Sequence, residues 1–170
     1  MFLNYIKEFF VKKSLKNNLH ILKNEVFTSN VQTIGLLIDE NQFRHSTELV
    51  KELVLQGIAF ENIKIVAYRS KLEKEKTYSH LTFCKKNVNW KGDFTEDFLN
   101  EFAKTEFDLL ISYYEIETPI LMMVTSKSNA KFKVGFSSVD IRLNRWMIDT
   151  EIGNYKLFVS ELFKYLKSIK

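Results

Sequence analysis

Cysteine occurs once, at Cys84, proline once, at Pro119, and glycine only five times in 170 residues. A single thiol excludes a disulfide framework and any multi-thiolate metal site. So little proline and glycine excludes collagen-like, elastic and linker-type chains. No run approaches the ~20 continuous apolar residues of a membrane span. Met1 leads straight into Phe2 and Leu3, without the basic region and small-residue cleavage site of a secretory leader, so a cytoplasmic protein is expected. The glycines (Gly35, Gly57, Gly92, Gly135 and Gly153) stand singly, and neither GxGxxG nor a P-loop occurs. Without clustered glycines, backbone amides cannot easily close around a pyrophosphate. His20, His45 and His80 are far apart, and none has a His or Cys partner one helical turn away. Cys84 closes an apolar stretch and reads as a small buried hydrophobe, and no GxSxG elbow surrounds Ser112 or Ser137. No catalytic residue, metal or cofactor is assigned on this reading, and nothing in it requires an enzyme.

What the chain does have is core material and an uneven charge. Hydrophobic residues make up 45% and aromatics 14%, enough for one folded domain. The net charge of +4 is not spread evenly. Residues 1–24 carry Lys7, Lys12, Lys13, Lys16 and Lys23 against Glu8 alone, which leaves 20 basic and 20 acidic residues for the rest. We therefore divide the chain into a basic amphipathic N-terminal helix (1–24) and a neutral domain (25–170). A helical wheel over residues 2–23 shows two apolar stripes on roughly opposite sides. Phe2, Leu3, Tyr5, Ile6, Phe9 and Phe10 form one; Val11, Leu15, Leu19 and Leu22 form the other.

From Thr33 the sequence alternates between strand and helix signals. TIGLLI (33–38), NIKIVAY (62–68) and FDLLISY (107–113) are apolar, β-branched runs of the kind buried on both faces of a sheet. Further strands are expected at 79–84, 132–136 and 146–149. Helical spacing covers 47–56, closed by Gly57 in the left-handed position just past the helix end. A second helix runs through Phe98, Leu99 and Phe102, with Asp93 or Thr95 as its cap. A third starts near Thr118 with Pro119 in its first turn, and a closing amphipathic helix spans 154–168. Lys131 and Lys133 alternate with Phe132 and Val134, a pattern suited to a strand near an edge. Strands separated by helices imply right-handed βαβ crossovers. The expected fold is α/β: a single Rossmann-like three-layer domain with a mainly parallel sheet of five or six strands.

IKEFFVKKSLKNNLH, FDLLISYY, KFKVGFS and ELFKYLK together resemble an uncharacterised flavobacterial (Bacteroidetes) α/β family of unknown function, along essentially the whole chain. That resemblance implies a bacterial cytoplasmic protein. FDLLIS followed by NAKFKVGF is similar to the N-terminal Rossmann-like half of heptosyltransferase-type glycosyltransferases. This likeness implies the same fold. Such enzymes hold their nucleotide sugar mainly in a second half, for which this chain is too short.

In open parallel sheets ligands sit beyond the carboxyl ends of the strands. Those ends offer Asp39, Glu40, Glu115, Ser137 and Asp140, which could bind a small molecule or nucleotide sugar or could simply cap turns. Arg142 and Arg145 beside Trp146 form a basic-aromatic cluster suited to an anion or a stacked base, or to loop anchoring. In the leading helix, Phe2, Leu3, Ile6, Phe9 and Phe10 next to Lys12, Lys13 and Lys16 suit several roles. They could dock a protein partner, drive self-association, lie on an anionic membrane surface, or pack on the domain's own last helix. RNA or ribosome association through the terminal lysines is a further option. The favoured reading is a non-enzymatic interaction module acting through this helix.

Overall fold

Leucine and β-branched side chains on both sides of a short strand can be satisfied only in a sheet covered on both faces. The computed structural model, which describes residues 30–169, shows that arrangement. Strands β1 (Ile34–Asp39), β2 (Ile63–Tyr68), β3 (Leu81–Phe83), β4 (Leu109–Tyr113), β5 (Phe132–Phe136) and β6 (Trp146–Ile148) form one sheet in the order β3-β2-β1-β4-β5-β6. Every neighbouring pair is parallel. This is the doubly wound Rossmann order. The helix expected over residues 2–23 and the boundary after residue 24 lie outside the described residues.

Among the described residues, four α-helices complete the layers: α1 (Ser46–Leu55), α2 (Asp97–Lys104), α3 (Pro119–Lys127) and α4 (Tyr155–Ser168). Side chains alternate along each strand, which splits the interior into two cores. Ile34, Leu36 and Ile38 of β1 meet Leu49 and Leu53 of α1 and Phe158 and Leu162 of α4. On the other face Leu37 and Leu110 meet Leu99 and Phe102 of α2 and Leu121 and Val124 of α3. Gly35 sits in the central strand because the Phe107 ring takes its side-chain space; an added Cβ would lie 2.6 Å from that ring. No described helix is long and apolar enough to cross a membrane.

One local expectation is corrected. Neither Asp93 nor Thr95 caps α2: the cap position is Glu96. Asp93 instead accepts from Asn89 within a tight turn, and the Thr95 amide donates to the Asn87 carbonyl. Strand β5 is near an edge, as expected: it is the second strand in, between β4 and the edge strand β6. Its flanking lysines serve the fold: Lys133 Nζ donates to the Thr125 and Ser126 carbonyls in the last turn of α3, and Lys131 Nζ to Asp108.

Asp108 clamps the amino edge at the centre of the sheet. Its Oδ2 accepts from the backbone amides of Gln32 and Thr33 (both 3.0 Å) and from Thr33 Oγ1, while Oδ1 accepts from Lys131 Nζ at 2.8 Å. It thereby ties the start of β4 to the residues leading into β1 and β5. Burial alone would raise its pKa, but the hydrogen bonds from Lys131, Gln32 and Thr33 outweigh burial and hold it at about 2. A carboxyl depressed in the folded state stabilises the fold above its unfolded pKa, and that contribution fades as pH falls through the folded value. Asp108→Asn is therefore expected to cost about 1–3 kcal/mol at pH 7. In urea unfolding, the gap between the two proteins should close as pH drops from about 4 to about 2. A gap of constant size down to pH 2 would contradict this role.

Candidate functional site

The chain leaves β1 in one direction and β4 in the other, so the crevice between their carboxyl ends is the topological switch point, the usual ligand site of this architecture. Asp39 ends β1 there and is 2% exposed. Its carboxylate is fully engaged with its own loop. Oδ1 accepts from the backbone amide (2.9 Å) and side chain (2.6 Å) of Asn41, and Oδ2 accepts from Gln42 Nε2 at 2.5 Å. Gln42 then crosses the crevice: its Oε1 accepts from the backbone amides of Glu115 and Ile116, both at 3.2 Å. The loops after β1 and β4 are stitched together over the switch point.

The surrounding candidates are occupied in the same way. Glu40 takes a 2.6 Å bond from Arg69 Nε, and the Arg69 guanidinium also lies 4.9 Å from the centre of the Tyr78 ring. Asn41 Oδ1 accepts from the amide and hydroxyl of Ser70. Glu115 accepts from the Ile152 amide through Oε2 and from Ser138 Oγ through its carbonyl. Ser137 Oγ donates to Asp149. Asp140 grips Arg142 through its backbone amide and its guanidinium, and that hydrogen-bonded guanidinium pulls the carboxyl below the usual range despite partial burial.

Beneath this polar layer the crevice is floored by aromatic rings. Phe43 and Tyr113 have centroids 4.7 Å apart, and Phe136 and Phe158 close against Tyr113 at 5.0 and 5.1 Å. The Tyr113 hydroxyl donates to the Ile152 carbonyl at 2.7 Å. Burial, reinforced by the Glu115 charge, pushes its pKa far up, so it stays neutral at physiological pH.

The turn from β1 into α1 contains no glycine, and Glu48 places a carboxylate in the first turn of α1, where a phosphate would have to sit. Ser46 opens that helix and contacts His80 Nε2 at 2.9 Å. Such a pair has nucleophile–base geometry. Ser46 is only 8% exposed, however, so the contact clasps the β2–β3 connection to α1. Among the described residues, no three His, Cys, Asp or Glu side chains come together to hold a metal.

Asp39, Glu40, Glu115, Ser137 and Asp140 do share the carboxyl edge, but each is bound to a separate neighbour: Asn41 and Gln42, Arg69, the Ile152 amide, Asp149 and Arg142 respectively. The Arg142–Arg145–Trp146 cluster is dispersed: Arg142 is bound to Asp140, Arg145 lies 5.8 Å from the Phe132 ring centre, and Trp146 stacks on Tyr165 at 3.7 Å. Phe2, Leu3, Ile6, Phe9, Phe10, Lys12, Lys13 and Lys16 lie outside the described residues. Asn41 stands with Asp39 and Glu40 among the strand-end residues legible in the sequence, but sequence reasoning passed over Gln42, which closes the crevice. A pair of amide side chains two and three residues after a strand-ending aspartate, where an Asx turn brings the chain back to the carboxylate, is the signal that points to it.

The chain belongs to a family of unknown function, DUF6913, whose model matches residues 7–169. No curated protein and no solved structure matches it. The family match agrees with the resemblance to an uncharacterised family.

A double-mutant cycle tests the stitched crevice. Asp39→Ala and Gln42→Ala should each destabilise the domain, Asp39→Ala by roughly 2–4 kcal/mol because it strands the amides of Asn41 and Gln42. Their coupling in urea unfolding should be about 1–2 kcal/mol. Purely additive effects would show that the two residues do not share one network.

Proposed function

We propose that this protein is a non-enzymatic binding module of the cytoplasm that engages a macromolecular partner through its basic leading segment. The observation that supports this reading best is the crevice itself. Where this fold ordinarily admits a ligand, Gln42 bridges the Asp39 carboxylate and the Glu115 backbone amide, beside a cluster of packed aromatic rings. A site in that state has neither free polar groups to orient a substrate nor an open cradle for phosphate. The distribution of charge supports the same conclusion. The domain after residue 24 is balanced, and the whole surplus falls on the segment that also carries Phe2, Leu3, Ile6, Phe9 and Phe10. The aromatic stripe suits a protein partner or a second copy of the chain; Lys12, Lys13 and Lys16 alone would draw RNA, a ribosome or an anionic membrane surface. The competing reading, a nucleotide-sugar binder related to glycosyltransferases, has in its favour the convergence of Asp39, Glu40, Glu115 and Asp140 on the carboxyl edge. Each of them is already engaged by a neighbour (Gln42, Arg69, the Ile152 amide and Arg142 respectively), which weighs against it.

Removing residues 1–12 tests the proposal. The shortened chain should melt within a few degrees of the full one yet lose the complexes that cross-linking captures with the full chain. If the deletion unfolds the domain, the segment is part of the core and the proposal fails.

A further inference from the structure

The bulkiest exposed apolar side chain among the described residues is Trp90, 78% exposed, on the turn between β3 and α2. That turn is held rigidly. Asn89 Oδ1 accepts from the amides of Lys91 and Asp93, both at 2.9 Å, and the Asn89 amide donates to the Asp93 carbonyl. Gly92 supplies the left-handed backbone (φ 84°), its amide donates to the Asn89 carbonyl, and its own carbonyl accepts from Lys127 Nζ. A bridge between Val88 and the buried Phe94 closes the base. A large ring is thus presented on a backbone whose conformational entropy is already spent, the condition under which an exposed aromatic binds well.

The chain leading up to the ring and the residue after it are basic, and Asp93 is the one acid within the turn. Lys85, Lys86 and Lys91 are exposed, and no acidic residue occurs between Phe83 and Gly92. Lys91 Nζ stands 5.3 Å from the centre of the Trp90 ring, and the next acid, Asp93, lies 3.8 Å from Lys127 Nζ. We propose that Trp90 is a stacking platform for single-stranded nucleic acid, with Lys85, Lys86 and Lys91 neutralising the phosphates that flank the stacked base. Each base offers a π-face whatever the sequence, and a strand brings phosphate charge with it, so one ring and a few lysines suffice. An anionic membrane would call for a contiguous apolar face, and this turn offers a single ring among polar residues. The platform uses none of the residues of the N-terminal segment and does not depend on that segment's role.

The test uses the full chain, a labelled 12-nucleotide single-stranded RNA and fluorescence anisotropy at stepped salt. Trp90→Ala should weaken binding about tenfold, the cost of one lost stack, while Trp90→Tyr retains most of it. Replacing Lys85, Lys86 and Lys91 together by alanine should flatten the slope of log affinity against log salt by about 2, at ~0.7 per phosphate contact on a single strand. All three positions and Trp90 are exposed, so the variants should melt with the parent. Absence of RNA binding would overturn the proposal, as would binding indifferent to Trp90→Ala. Trp90-dependent binding to phosphatidylglycerol vesicles without RNA binding would assign the ring to a membrane and overturn it equally.

Discussion

A carboxylate withdrawn from water at the end of the central strand must find donors or cost the fold several kcal/mol. Asp39 finds them within three residues. Asn41 supplies two and Gln42 a third, and with them the path of the β1–α1 turn is set. Once Gln42 Nε2 is committed to Asp39, its Oε1 points across the sheet and meets the amides of Glu115 and Ile116. One buried charge therefore decides the turn, the closure of the switch point, and the absence of an open phosphate cradle there.

The same strand pair is secured at its opposite end by a second carboxylate. Asp108, just before β4, gathers Gln32 and Thr33 from the approach to β1 and Lys131 from the approach to β5. Neighbouring parallel strands with no hairpin to fix their register are thus stitched at both edges by side chains. Between the stitches the strands are apolar except for Ser112, which pairs with Thr125, and their packing against α1 and α4 on one face and α2 and α3 on the other carries the bulk of the domain's cohesion. The architecture associated with nucleotide chemistry is retained while the crevice that chemistry would use is filled.

The strands were legible in the sequence because burial on both faces leaves an unbroken apolar signature; TIGLLI and FDLLISY could hardly be anything else. Helix ends were less so. Asp93 looks like a cap until Asn89 draws it into a turn, an interaction between residues four apart that no propensity encodes. The carboxyl-edge residues could be gathered from the alternation of elements alone, but their saturation could not. Gln42 meets Glu115 across 73 positions, and Arg69 meets Glu40 only once β1 and β2 lie side by side. Trp146 read as an available aromatic for the same reason, since the ring that covers it, Tyr165, lies 19 residues further on, in α4. Trp90 escaped notice because exposure of an aromatic in a polar loop is a property of the turn, not of the local sequence.

A Rossmann-type domain with its switch point occupied by its own side chains should be indifferent to the ligands that the fold ordinarily takes. Thermal denaturation of the full chain in the presence of nucleotides, nucleotide sugars and divalent cations measures this most directly, because a ligand that binds the folded state raises the melting temperature by mass action. The melting temperature should stay unchanged across the panel. A rise of several degrees with any one ligand, lost in Asp39→Ala, would show that the crevice opens and that the site is a pocket after all.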